Sequence, residues 1–378
     1  MENTLRFTKM TRSLVEQGTF ASHPFTLLDV GCSGGISPFW RVFEPSLTAI
    51  GIDPVVPECE RLNAKEKNAN VRYRSLFVGL PDDHQFVKQR GSNEPWGGNP
   101  WNRLSAPLAS SILKSKIRER DKLPVLNDWK GSELASEHLR IGVDELVQSE
   151  KLLSDLDFIK VDVDGYDIDV ILSGEKITRT APVLGYTLEV NFYGSTSDVD
   201  HTFHNTDRLM RQWGFDLFGL SLRQYSTAAL PAPFQWDGPA QTIFGRPYQG
   251  DAIYLRDPMN AQTKGAPQSP PLSVFKILKL ACLFECFGLP DHAAELIREN
   301  AAFLHEICHA TKLLDILAQE VDPGVQSYTQ YIEKFSADPT AYYRSQWHSE
   351  QGMKPISPRG VPSLKRIAKR ICTRLGFT

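Results

Sequence analysis

Apolar residues fall along this chain in short, nearly continuous runs separated by longer amphipathic stretches, the pattern of a parallel sheet covered by helices on both faces. Leu27, Leu28 and Val30 make a first short strand, residues 47–53 a second, and residues 71–78 a third that stops at Gly79. Phe158, Ile159, Val161 and Val163 form a fourth, residues 182–193 a fifth, and residues 215–221 and 252–256 the last two. Between them the spacing turns helical: Leu5, Met10, Leu14 and Val15 share one side of an N-terminal helix, and Tyr166, Ile168, Val170, Ile171 and Leu172 share one side of another. Residues 202–214 make a helix closed by Gly214, because glycine ends helices in the left-handed region without strain. This alternation predicts an α/β fold, a Rossmann-like doubly wound sheet of seven strands.

At 378 residues the chain exceeds what one core holds, so an appendage is expected. Residues 1–25 read as the N-terminal helix, 26–257 as the α/β domain, 258–273 as a proline-bearing linker, 274–353 as a helical region broken at Gly288 and Pro290, and 354–378 as a basic amphipathic tail. Residues 88–131 hold Trp96, Trp101 and repeated Gly and Pro with no period, the mark of a long functional loop. The two tryptophans either stack on the apolar face of a sugar or anchor the loop to the body.

Chemistry concentrates at two strand ends. Gly31, Gly34 and Gly35 follow the first strand, where a backbone must turn sharply and approach a ligand closely. Asp53 ends the second, placed to accept hydrogen bonds from ribose hydroxyls. That unit suits NAD as well as S-adenosylmethionine. In the fourth strand Lys160, Asp162 and Asp164 are charges that a doubly covered strand does not tolerate without partners or a ligand, and Gly165 then permits a tight turn. Lys160 either pairs with these acids, orients the substrate or snorkels to solvent.

The order of these features, L-D-V-G-x-x-x-G, then Asp53-Pro54, then Lys160, Asp162, Asp164 and Gly165, resembles the FkbM family of S-adenosylmethionine-dependent methyltransferases across roughly residues 26–256. The family commonly has glutamate where Asp53 and Asp164 stand, so reach is shorter here by one methylene. The resemblance implies S-adenosylmethionine as cofactor, held by Asp29, Gly31, Gly34, Gly35 and Asp53, and an O-methyl transfer to a hydroxyl of a sugar, glycan or natural product. An alcohol needs a base, for which Asp162 is the first choice and Asp164 the second. Glu189 on the fifth strand and His204 at the start of the following helix are rivals, although His201 and His204 equally suit capping or packing. Asp162, Asp164 and Glu189 could also supply three oxygens to Mg²⁺. Two other classes compete: a glycosyltransferase using Asp162-Val163-Asp164 as a D-x-D metal motif, and a binding module that keeps the fold without catalysis.

Charge narrows the partners. The formal net charge is -3, but seven basic residues and no acid lie from Lys354 onward, leaving the preceding body at -10. An acidic body argues against nucleic acid as a partner, since phosphate neutralisation needs a basic face. Six cysteines form no C-x-x-C pair, and neither a secretion signal nor a membrane-spanning run stands out, which points to the cytoplasm. Within residues 363–377, Leu364, Ile367, Ala368, Ile371, Cys372 and Leu375 recur on one helical face against basic residues, so the tail either lies on an anionic membrane surface or docks on the acidic body.

Overall fold

The computed structural model describes residues 7–90, 140–163, 167–192, 196–225, 242–243, 245–260 and 270–339. Its core is a seven-stranded sheet. The strands are β1 (Phe25–Val30), β2 (Leu47–Asp53), β3 (Val71–Ser75), β4 (Phe158–Val161), β5 (Gly185–Asn191), β6 (Asp216–Tyr225) and β7 (Arg246–Leu255). They lie in the order β3-β2-β1-β4-β5-β7-β6, parallel except for β7, which runs antiparallel to both neighbours. This is the Rossmann-like doubly wound arrangement of seven strands that the alternation of runs predicts. Every residue of β1 and β2 is buried, which explains their unbroken apolar character: both faces are covered.

Several boundaries differ from the sequence reading. β3 stops at Ser75 rather than Val78, because its partner β2 ends at Asp53, opposite Ser75, and no strand remains to pair with beyond that point; Val78 bridges Ile141 instead. β6 and β7 are each longer than their apolar runs, since each gains a neighbour that satisfies backbone groups regardless of side chain. The stretch expected as a loop from residue 88 begins as the last turn of a helix, Gln85–Arg90. The remainder of that loop, with Trp96 and Trp101, lies outside the described residues, as do Leu5 and the tail from residue 340.

The first helix is α1 (Lys9–Glu16), and α2 (Val56–Lys65) follows β2. The break expected at Gly288 and Pro290 separates helices Val274–Cys286 and Pro290–Glu299, with Gly288 at φ +79° in the turn. The first of these is bound to the sheet by ions that no periodicity announces. Asp157, fully buried at the start of β4, accepts from Lys276 Nζ at 2.6 Å and from Lys279 Nζ at 2.8 Å, and Lys279 also donates to the Pro24 carbonyl. Glu285, also fully buried, accepts from the backbone N–H groups of Met10 and Thr11 at 2.7 and 2.8 Å, capping α1, whose own Thr8 makes no side-chain cap. The described residues as far as Leu317 form one compact unit and those from Ala318 another. Within the second, helix Tyr328–Ala337 starts at Ser327, whose hydroxyl accepts from the Gln330 N–H.

Candidate functional site

All the parallel strands end on one edge of the sheet, and the order reverses direction between β1 and β4, where ligands of such sheets bind. The glycine loop leaves β1 at this point. Gly31 takes φ +84°, and a Cβ there would lie 1.8 Å from the Asp162 carbonyl oxygen, so glycine is required for β1 and β4 to close against each other. Gly34, at φ +83°, has nothing within 4 Å of where its Cβ would be: this turn opens on empty space. Gly34 and Gly35 also border a cleft of about 990 Å³ beside α2, but Asp53 and Asp162 take no part in its lining.

Lys160 ties the two strand ends together. Its Nζ donates to the Gly31 carbonyl at 2.7 Å, pairs with Asp29 Oδ1 at 3.1 Å and lies 3.6 Å from Asp162 Oδ2. It therefore faces the acids and does not snorkel away. Burial opposes the ammonium, but Asp29 and Asp162 raise its pKa well above the ordinary lysine value. Burial raises the Asp29 carboxyl, with Lys160 opposing. Burial likewise raises Asp53, offset by the Val55 N–H that donates to its Oδ1 at 2.8 Å. Among the described residues nothing donates to the other Asp53 oxygen. Asp162 projects past the end of β4 with its side chain half exposed, its backbone N–H still bonded to Val30.

Glu189 and His204 are placed differently from this group. Glu189, buried on β5, accepts from Arg223 Nη2 on β6 at 2.6 Å, and Asp251 on β7 accepts from the same nitrogen at 3.2 Å. Burial disfavours the Arg223 charge, but Asp251 and Glu189 outweigh it and, with a smaller contribution from Asp162, raise its pKa. His204 is exposed, its Nδ1 3.0 Å from the Thr202 hydroxyl at the helix cap. His201 is the buried member of the pair, with Asp167 3.8 Å from its Nδ1. Asp164 and Gly165 lie outside the described residues. Among the described residues no group of three or more His, Cys, Asp or Glu side chains is arranged to hold a metal ion. Arg223 and Asp251 escaped the sequence reading, because β6 and β7 also carry Asp216, Gln224, Arg246 and Gln249, among which two more charges do not stand out.

Residues 39–217 match the family model of the methyltransferase FkbM domain. The chain carries an FkbM-like methyltransferase domain. The matched segment of this FkbM-like domain includes Asp53, Lys160, Asp162 and Glu189 and begins just after the glycine loop. Among solved structures, the chain is similar to the structure of PKMT2 from Rickettsia typhi, at 12% identity over 89% of this chain and 75% of that chain, with a TM-score of 0.27. A likeness so distant carries no argument. Comparison with curated proteins found no match.

Proposed function

We propose that the FkbM-like domain transfers a methyl group from S-adenosylmethionine to a hydroxyl oxygen of a sugar, glycan or natural-product acceptor. The observation that carries this reading is the Lys160 clamp, which joins the glycine turn of β1 to Asp162 at the end of β4. The fit of the cofactor rests on two features of the chain. Gly34 opens on empty space, and Asp53 keeps one carboxylate oxygen without a described donor, as hydrogen bonds from ribose hydroxyls require. S-adenosylmethionine, when bound, supplies an electrophilic methyl carbon on a positively charged sulfur. Asp162, at the end of β4 beside the glycine turn, would act as the base that takes the proton of the acceptor hydroxyl. Lys160 fixes where that carboxylate stands, and positioning of this kind is the largest contribution a protein makes to an in-line transfer.

Calorimetry with S-adenosylmethionine, NAD, and a sugar nucleotide with Mn²⁺ tests the reading. Binding of S-adenosylmethionine alone is expected, weakened by about 1.5 to 3 kcal/mol in Asp53→Ala through lost charge-assisted hydrogen bonds. Binding of NAD or of the sugar nucleotide in its place overturns the reading.

A further inference from the structure

The group around Arg223 is more elaborate than strand pairing requires. Glu189 and Asp251 stand directly opposite each other across β5 and β7, a like-charge pair that costs stability unless a cation joins it. Arg223 supplies that cation from β6, using only Nη2 for both carboxylates. Among the described residues its buried Nε makes no hydrogen bond and Nη1 donates to none, so most of the guanidinium's donors have no described partner although its side chain is 29% exposed. A β-bulge follows at once, between Arg223 and Gln224. Bulges of this kind re-aim a side chain and cluster beside active sites. Since β6 runs parallel to β5, its C-terminal half reaches the same sheet edge as Asp162, whose charge contributes to the field on Arg223. Across this edge four carboxylates (Asp29, Asp162, Glu189, Asp251) face two cations (Lys160, Arg223), a net negative surround among the described residues.

We propose that Arg223 is the specificity-determining residue for the methyl acceptor, and that the site takes a neutral, hydroxyl-rich acceptor and rejects its carboxylated or phosphorylated counterpart. This rests on the methyl-transfer reading above. The remaining guanidinium donors grip hydroxyl or ring oxygens, while Glu189, Asp251 and Asp162 accept from hydroxyl hydrogens. An anionic group would gain from one arginine already shared by two carboxylates and would meet their repulsion and that of Asp162. An arginine in a net acidic surround thus reads polarity without drawing anions.

The test uses the full chain with S-adenosylmethionine present and three matched probes: methyl glucoside, methyl glucuronide and glucose 6-phosphate. Binding is followed through the Nε–H signals of isotopically labelled arginine, the Arg223 signal being assigned as the one lost in R223K. Methyl glucoside is expected to shift the Arg223 signal, with the two anionic probes weaker by roughly tenfold or more. R223M should lose glucoside binding. Because it removes the guanidinium paired with the buried Glu189, the double variant R223M/E189Q serves as the folded control and should also lose it. Equal or tighter binding of an anionic probe, glucoside binding that survives in the double variant, or no shift from any probe overturns the proposal. Calorimetry on the same samples keeps the two readings apart. If S-adenosylmethionine binds and the glucoside does not, the acceptor proposal alone fails; if S-adenosylmethionine does not bind, the methyltransferase reading fails first.

Discussion

Replacing Lys160 by methionine keeps the aliphatic stem and removes the charge that Asp29, Asp162 and the Gly31 carbonyl share. Asp29 is then a buried carboxylate, its side chain 3% exposed, whose only ion-pair partner among the described residues is gone. Removing one member of a buried pair costs about 3 to 5 kcal/mol, much of it the penalty of the charge left behind. The exposed side of the clamp adds little, because Asp162 is half in water. The sign with pH follows from Asp29. Its folded pKa is raised by burial even with Lys160 present, and it rises further once that cation is lost. A carboxyl raised on folding contributes stability below its unfolded value, near 3.9, and loses it as pH rises through the folded value. Lys160→Met should therefore show its full deficit at about pH 7 and a much smaller one at about pH 4. Urea unfolding at both pH values measures this, and Asp29→Asn combined with Lys160→Met should recover most of the loss. A deficit below about 1 kcal/mol at neutral pH, a deficit independent of pH, or a double variant no better than the single one would refute the clamp as described.

Three further outcomes follow from the same geometry. Asp162→Asn preserves shape and removes basicity, so turnover should fall by about 10²-fold or more while S-adenosylmethionine affinity, read by calorimetry, changes little; turnover that survives this change but is lost in His204→Ala would assign the base to His204. Glu285→Ala leaves the buried N–H groups of Met10 and Thr11 without an acceptor and should lower stability by about 2 to 4 kcal/mol in chemical denaturation, whereas a loss under about 1 kcal/mol would mean that the cap contributes nothing. Deleting residues 354–378 should abolish salt-sensitive sedimentation with anionic liposomes and leave S-adenosylmethionine binding intact; a full-length chain that ignores such liposomes would remove the membrane role of the tail.

No helix among the described residues is long and apolar enough to cross a membrane. The basic tail lies outside those residues and keeps the two alternatives its sequence suggests.

What the sequence determined by itself is the set of features whose cause is local. Doubly buried strands such as β1 and β2 must be continuously apolar, a glycine must stand where φ is positive at Gly31, and charges within β4 must have a reason to be there. These constraints act on neighbouring residues, so they leave a pattern that can be read along the chain. Only the tertiary structure decided which charges meet. Lys276 and Lys279 look like the polar side of a helix, but both are buried on Asp157, more than a hundred positions away. Glu189 looks like a base or a metal ligand, whereas it faces Arg223 and shares that guanidinium with Asp251 across three strands. His201 and His204 are three residues apart and alike in sequence, but the chain ahead of the helix buries the first beside Asp167, while the first turn of the helix exposes the second. The extent of β3 was likewise set by the length of β2 rather than by its own apolar run. Pairings of this kind couple residues distant in sequence through strand order and helix docking, and such couplings carry no period along the chain.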